Sequence, residues 1–210
     1  MIRIAVLVSG KGRGTNFQAI LDAALDGRID GEVAVLVASR RDCGAVERAE
    51  AVGVAVDVIS PKAFESDDAY DAALYDALEK YRIDLVCLAG FMRKVSSRLV
   101  ARYRNAMMNI HCALVPMFCG AGMYGHHVHE AAVEYGVKVS GCTVHFVDES
   151  YDTGPVIVQR TCPVYAEDTA DTLAARVLEQ EHIAYPEAVA LFAQGRLRVE
   201  GRIVYVNCEL

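Results

Sequence analysis

The 210-residue chain has no tryptophan, and no apolar run in it approaches the roughly 18 residues that a membrane-spanning helix needs. Its opening, Met1 to Val8, carries neither a basic n-region nor a small-residue cleavage site, so no export signal is expected. Positive charge is also scarce. The 21 Lys and Arg face 28 Asp and Glu, a formal net charge of −7. Bulk charge of that sign gives no support for a nucleic-acid or anionic-membrane partner, although it leaves room for a local basic pocket. A disulfide framework is missing as well. The seven cysteines (Cys43, Cys87, Cys112, Cys119, Cys142, Cys162 and Cys208) are odd in number and scattered, which reads as reduced thiols in a cytoplasmic protein. No internal repeat, low-complexity tract or linker breaks the chain. What is present is a 53% hydrophobic composition, which excludes disorder and predicts a single packed domain over 1–210.

Residues 2–8 are β-rich and scarcely alternate, as expected of a strand buried on both faces of a parallel sheet. A glycine-rich turn (Ser9 to Asn16) leads to a helix over 17–25. Further strands are expected at 33–38, 55–59, 85–88 and 106–110, with helices at 45–51, 67–80 and 96–103 between them. That alternation predicts an α/β fold with a doubly wound, mostly parallel sheet, Rossmann-like in its N-terminal half (1–110). Past Cys112 the rhythm changes. A loop, a short helix over 128–135 and paired strands at 139–146 and 156–164 precede a helix over 169–192, interrupted at Pro186. A terminal hairpin at 197–206 completes a mixed-sheet half, 111–210.

Asn109-Ile110-His111 closes the fifth strand and opens an irregular loop, and ligands of open α/β sheets bind beyond the carboxyl ends of strands. An Asn amide donates to a carbonyl oxygen gaining charge, and a neighbouring His moves a proton near neutral pH. Asp152, in Asp152-Thr153-Gly154-Pro155, would orient the imidazole and favour its charged form. Alone, an Asn-x-His is more often a satisfied core histidine than a site. The turn Ser9-Gly10-Lys11-Gly12-Arg13-Gly14-Thr15-Asn16 offers backbone N–H groups and a helix N-terminus to a phosphate, with Lys11 and Arg13 adding charge. It fits neither the phosphate-loop nor the dinucleotide pattern. Six candidate soft ligands (His111, Cys112, Cys119, His126, His127 and His129) fall within 19 residues, but without C-x-x-C or H-x-x-x-H spacing. Surface histidines and buried cysteines account for them, and no metal is expected.

Taken together the motifs fall in a known order. Gly90-Phe91-Met92-Arg93, Asn109-Ile110-His111-(x4)-Pro116, His145-Phe146-Val147-(x4)-Asp152-Thr153-Gly154-Pro155 and Gln180-Glu181-His182-(x3)-Pro186 follow the glycine turn. In that order the chain resembles the folate-dependent formyltransferases, in the branch that acts on glycinamide ribonucleotide, from Arg3 to about Val206. The resemblance implies transfer of a formyl group from the co-substrate 10-formyltetrahydrofolate to the ribonucleotide amine, a step of de novo purine biosynthesis. It implies that Gly14, Thr15 and Asn16 hold the phosphate and Glu181 the ribose hydroxyls. The folate would lie in a crevice between the halves, against Met92, Arg93, Lys94 and Val95 on one side and Asp148, Glu149, Ser150 and Tyr151 on the other. Asn109, His111 and Asp152 match the catalytic trio.

Some residues depart from the family pattern. His111-Cys112-Ala113-Leu114-Val115-Pro116 replaces a usual His-Pro-Ser-Leu-Leu-Pro, and the 118–125 stretch is about five residues longer. The glycine turn is about two residues longer, and Asp67 stands where an Arg often meets the folate tail. A formyltetrahydrofolate deformylase is the alternative, since it shares the trio and the fold. It usually carries a further N-terminal domain, and a transfer-RNA formyltransferase carries a C-terminal barrel. The transferase to the ribonucleotide is therefore the expectation.

Overall fold

The computed structural model describes residues 1–10 and 12–207, so Lys11 and Cys208 lie outside the described residues. The chain divides into two compact units, Met1–Met108 and Asn109–Leu210. The boundary falls two residues before the expected 110/111 division, and Asn109 joins the same unit as His111 and Asp152.

In the first unit, β1 (Ile2–Val8), β2 (Gly31–Ala38), β3 (Ala55–Val58) and β4 (Leu85–Leu88) pair in parallel in the order β3-β2-β1-β4. The near-continuous aliphatic sequences of β1, β2 and β4 suit burial on both faces, and Ile4, Ala5, Val6, Val35, Leu36, Leu85 and Val86 are all inaccessible to solvent. Helix α1 (Thr15–Leu25) covers β2 with Phe17, Ile20 and Leu21, and α2 (Gly44–Ala51) packs on β2 and β3. Helix α1 begins two residues before the expected Phe17, because its first turn is polar and carries no apolar periodicity. Ser66 caps α3 (Asp67–Lys80) by accepting the Ala69 N–H, and Ser96 caps α4 (Ser97–Arg102) from Leu99.

The second unit opens within β5 (Met107–His111), which runs one residue beyond the expected Ile110 and so places His111 in the strand. Helix α5 (His126–Tyr135) is followed by the antiparallel pair β6 (Val139–Phe146) and β7 (Val156–Pro163). In this unit β5 lies beside β6 and β6 beside β7, and β8 (Leu197–Glu200) and β9 (Ile203–Val206) form a separate hairpin. The mostly parallel α/β architecture read from the alternation is the one observed.

Helix α6 (Ala170–Ala193) packs on α5, β6 and β7 and starts in a capping box between Thr169 and Thr172. It runs unbroken through Pro186, where an interruption was expected. A proline inside a helix costs about 3 kcal/mol, because it removes one N–H and crowds the carbonyl four residues back. Burying a large apolar side chain returns roughly 1.5–3 kcal/mol. Leu173, Val177, Tyr185 and Val189 are all fully buried along α6, so packing outweighs the local penalty. Among the described residues no helix is long and apolar enough to cross a membrane.

Candidate active site

Strand β5 presents Asn109 and His111 from alternate positions, so both side chains leave the strand on the same face. The loop after β6 brings Asp152 to them. Asn109 Nδ2 donates to Asp152 Oδ1 across 3.4 Å, and His111 Nδ1 lies 3.7 Å from Asp152 Oδ2. The structure thus brings the three expected residues together within one unit. His111 is 6% exposed, a partly dry setting in which a proton carrier and a carboxylate interact strongly.

Sequence reading passed over a fourth member, His145. It sits on β6, 2% exposed, with Nε2 3.3 Å from Asn109 Nδ2 and 3.5 Å from Asp152 Oδ1. Its Nδ1 lies 2.7 Å from the Phe146 carbonyl oxygen and therefore carries a proton that it donates there. The remaining nitrogen can accept from Asn109 or donate to Asp152, but not both. The signal was available: His145 is a polar side chain in an otherwise apolar or small-residue buried strand, and it opens the motif that ends in Asp152.

Asp152 is held on both oxygens, since Gly120 N–H also donates to Oδ2 at 3.0 Å. Burial pushes its carboxyl up. The hydrogen bond from His145, the charge of His111 and the Gly120 N–H together outweigh that, so it titrates below the ordinary carboxylate value. Its backbone is left-handed (φ 55°), a conformation Asp tolerates better than most residues. Phe118 shares that conformation (φ 48°), and its carbonyl accepts His111 Nε2–H at 2.8 Å. The backbone of the 117–125 segment therefore bonds both His111 and Asp152.

The loop carrying Asp152 is braced from inside. Asp148 Oδ1 accepts from Ser150 N–H (3.0 Å) and from the Thr153 hydroxyl (2.7 Å). Gly154 lies flat on β6, where a Cβ would come within 1.8 Å of the Phe146 carbonyl oxygen. Of the residues expected to meet folate here, Glu149, Ser150 and Tyr151 are exposed, whereas Asp148 spends one oxygen on the loop itself. Glu181 is buried on α6. Burial of the thiols, with the Glu181 charge second, pushes Cys112 and Cys142 up to about 12.

In the first unit, the Ser9 hydroxyl donates to the Gly90 carbonyl (3.0 Å) and accepts Met92 N–H (2.7 Å), which shapes the 90–95 segment. Arg93 pairs with Asp67 at 2.5 Å and lies over the Tyr70 ring, so the departure at position 67 leaves Arg93 with an internal partner. Gly14, at φ 70°, caps α1 without a side-chain bond. The histidines of the cluster divide: His126 and His127 are exposed and pair with Glu130, while His129 is buried. Neither Cys112 nor Cys119 is fully buried, contrary to expectation. Among the described residues no group of three or more His, Cys, Asp or Glu is arranged to hold a metal ion.

An amide donor, two imidazoles and an ionised carboxylate gathered at the end of a strand suit acyl-group chemistry, and the comparisons name the class. Residues 2–189 match the family described as Formyl transferase, and the chain belongs to that family. It is similar to the phosphoribosylglycinamide formyltransferase of Escherichia coli strain K12, with 39% identity over 206 residues, 98% of this chain and 94% of that one. The Arabidopsis thaliana protein named phosphoribosylglycinamide formyltransferase, chloroplastic, is 41% identical over 198 residues, covering 93% of this chain and 67% of its own. Among solved structures, glycinamide ribonucleotide transformylase 1 from Symbiobacterium toebii superposes with a TM-score of 0.92 at 48% identity, covering 98% of this chain and 94% of that one.

Proposed function

We propose that this chain transfers the formyl group of 10-formyltetrahydrofolate to the amine of glycinamide ribonucleotide, a step of purine biosynthesis, and relatives named as phosphoribosylglycinamide formyltransferases support the reading. The observation that carries the reading is the convergence of Asn109, His111 and Asp152 in a chain of the formyl transferase family.

The ribonucleotide amine attacks the formyl carbon, and the carbonyl oxygen takes up negative charge. Asn109 turns an Nδ2–H toward that oxygen, at the expense of a 3.4 Å bond to Asp152 that is weak to begin with. A proton then passes from the new ammonium to the folate nitrogen, relayed by His111, and the tetrahedral intermediate collapses, breaking the bond between the formyl carbon and that nitrogen and releasing tetrahydrofolate. For that, His111 Nε2 exchanges its Phe118 carbonyl partner for substrate. Asp152 stays ionised throughout and fixes the imidazole from the Nδ1 side. Holding the two substrates side by side supplies the rest, up to roughly 7–11 kcal/mol in the best cases.

In this reading Gly14, Thr15 and Asn16 hold the phosphate and Glu181 the ribose. Met92 to Val95 and Asp148 to Tyr151 meet the folate. The oxyanion and proton roles are all assigned to side chains, so the step is read as metal-independent. The six described cysteines are free thiols, which suits a reducing compartment such as the cytoplasm. Neither nucleic acid nor a membrane enters the reading.

Product identity decides between this reaction and hydrolysis. Enzyme given 10-formyltetrahydrofolate alone should release little formate, and adding glycinamide ribonucleotide should yield the formylated product. Rapid formate release without the ribonucleotide, and no formylated product with it, would replace the transferase by a deformylase.

A further inference from the structure

We infer that Arg48, on α2, is a positioning residue that aims the 12–16 turn at the phosphate of the ribonucleotide. The inference rests on the reading of that turn as the phosphate site.

Arg48 Nε donates to the carbonyl oxygen of Arg13 at 3.0 Å, and Arg48 Nη1 donates to Gln18 Oε1 at 2.9 Å. The guanidinium therefore ties the turn before α1 to the first turn of α1 itself. A second tie comes from the start of α2, where Gly44 N–H donates to the Gly12 carbonyl oxygen at 3.1 Å. A peptide unit is planar and trans, so its C=O and the following N–H point in opposite directions. Holding the Gly12 and Arg13 carbonyls against α2 accordingly turns the N–H groups of Arg13 and Gly14 away from it. Successive amides turned to one side make an anion-binding concavity, and the N-terminus of α1 follows directly on it.

The contact has no slack. A Cβ on Gly14 would stand 2.6 Å from the Ala45 Cα, and a Cβ on Gly44 would stand 2.6 Å from the Arg13 oxygen. Two backbones thus meet at glycines from either side, and Arg48 fastens the pair from the half-exposed edge. Its guanidinium is well suited to the task. A planar fork reaches two acceptors at fixed separation, whereas a lysine ammonium on a flexible stem loses more freedom for a single bond.

Calorimetric binding of glycinamide ribonucleotide and, separately, of 10-formyltetrahydrofolate tests the assignment on the full chain. Arg48→Ala should weaken ribonucleotide binding by about tenfold, the loss of one charge-assisted bond, and leave folate binding within about twofold. Arg48→Lys keeps the charge but loses the fork, and it should bind the ribonucleotide nearly as weakly as Arg48→Ala. In steady-state assays both variants should raise the ribonucleotide KM with kcat nearly unchanged. Ribonucleotide affinity in Arg48→Ala close to wild type overturns the inference. So does a wild-type affinity in Arg48→Lys, which would assign the effect to charge alone, and so does an equal loss of both ligands. If wild type itself fails to bind the ribonucleotide, it is the reading of the turn that falls.

Discussion

Arg202, in the turn between β8 and β9, donates Nη1–H to the carbonyl oxygen of Thr153 at 2.8 Å, one residue from Asp152. The terminal hairpin is therefore fastened to the loop that delivers the carboxylate. Arg202→Ala should lower kcat about fivefold, the scale of about 1 kcal/mol for one exposed charged hydrogen bond, with melting temperature nearly unchanged. Arg202→Lys should recover part of the loss. Turnover equal to wild type in Arg202→Ala would show that the loop holds itself without the hairpin.

The trio makes a sharper demand. His111→Ala and Asp152→Asn should each cut turnover by at least ~10²-fold, the scale of lost proton-transfer help, while circular dichroism stays that of the wild type. Asn109→Ala should cost a similar ~10²-fold, the lower end for one oxyanion donor. Single-turnover rates measure these directly. A rate within a few-fold of wild type for Asp152→Asn would remove that residue from the chemistry.

His129 sets a pH dependence of stability. Its burial, with the nearby His126 and His111 charges, lowers its pKa from 6.5 to about 4. The unfolded chain then binds a proton there at a higher pH than the folded chain does. The folded state loses stability as pH falls from about 6.5 toward about 4, and this group adds no further loss below that. Asp152, lowered in the fold, acts in the same direction, below the ordinary carboxylate pKa. Urea unfolding at pH 7.5, 6 and 4.5 should show falling midpoints. In His129→Gln the decline between pH 6.5 and 4.5 should shrink, and a decline as steep as wild type would assign it to other groups.

Much of this was legible in the sequence because it rests on short-range rules. The aliphatic runs at 2–8 and 85–88 announce doubly buried strands, and their alternation with helices announces a mostly parallel sheet. Tertiary effects were harder to see. Proline at 186 is a breaker by local rule, and only the burial of Tyr185 and Val189 along α6 reveals why the helix continues. His111 looked like the first loop residue because polarity hides the last position of a strand. His145 lay unread among buried neighbours, since its contact with Asn109 spans 36 residues and links β6 to β5, which its own segment cannot indicate.

The two oxygens of Asp152 have separate obligations, one to Asn109 and His145 and the other to Gly120 and His111. A carboxylate pinned at both ends has no rotation left to accommodate an error. The position therefore measures length as strictly as it measures charge. Glutamate, with the same acid group on one more methylene, would reach past all four partners and be as foreign there as asparagine.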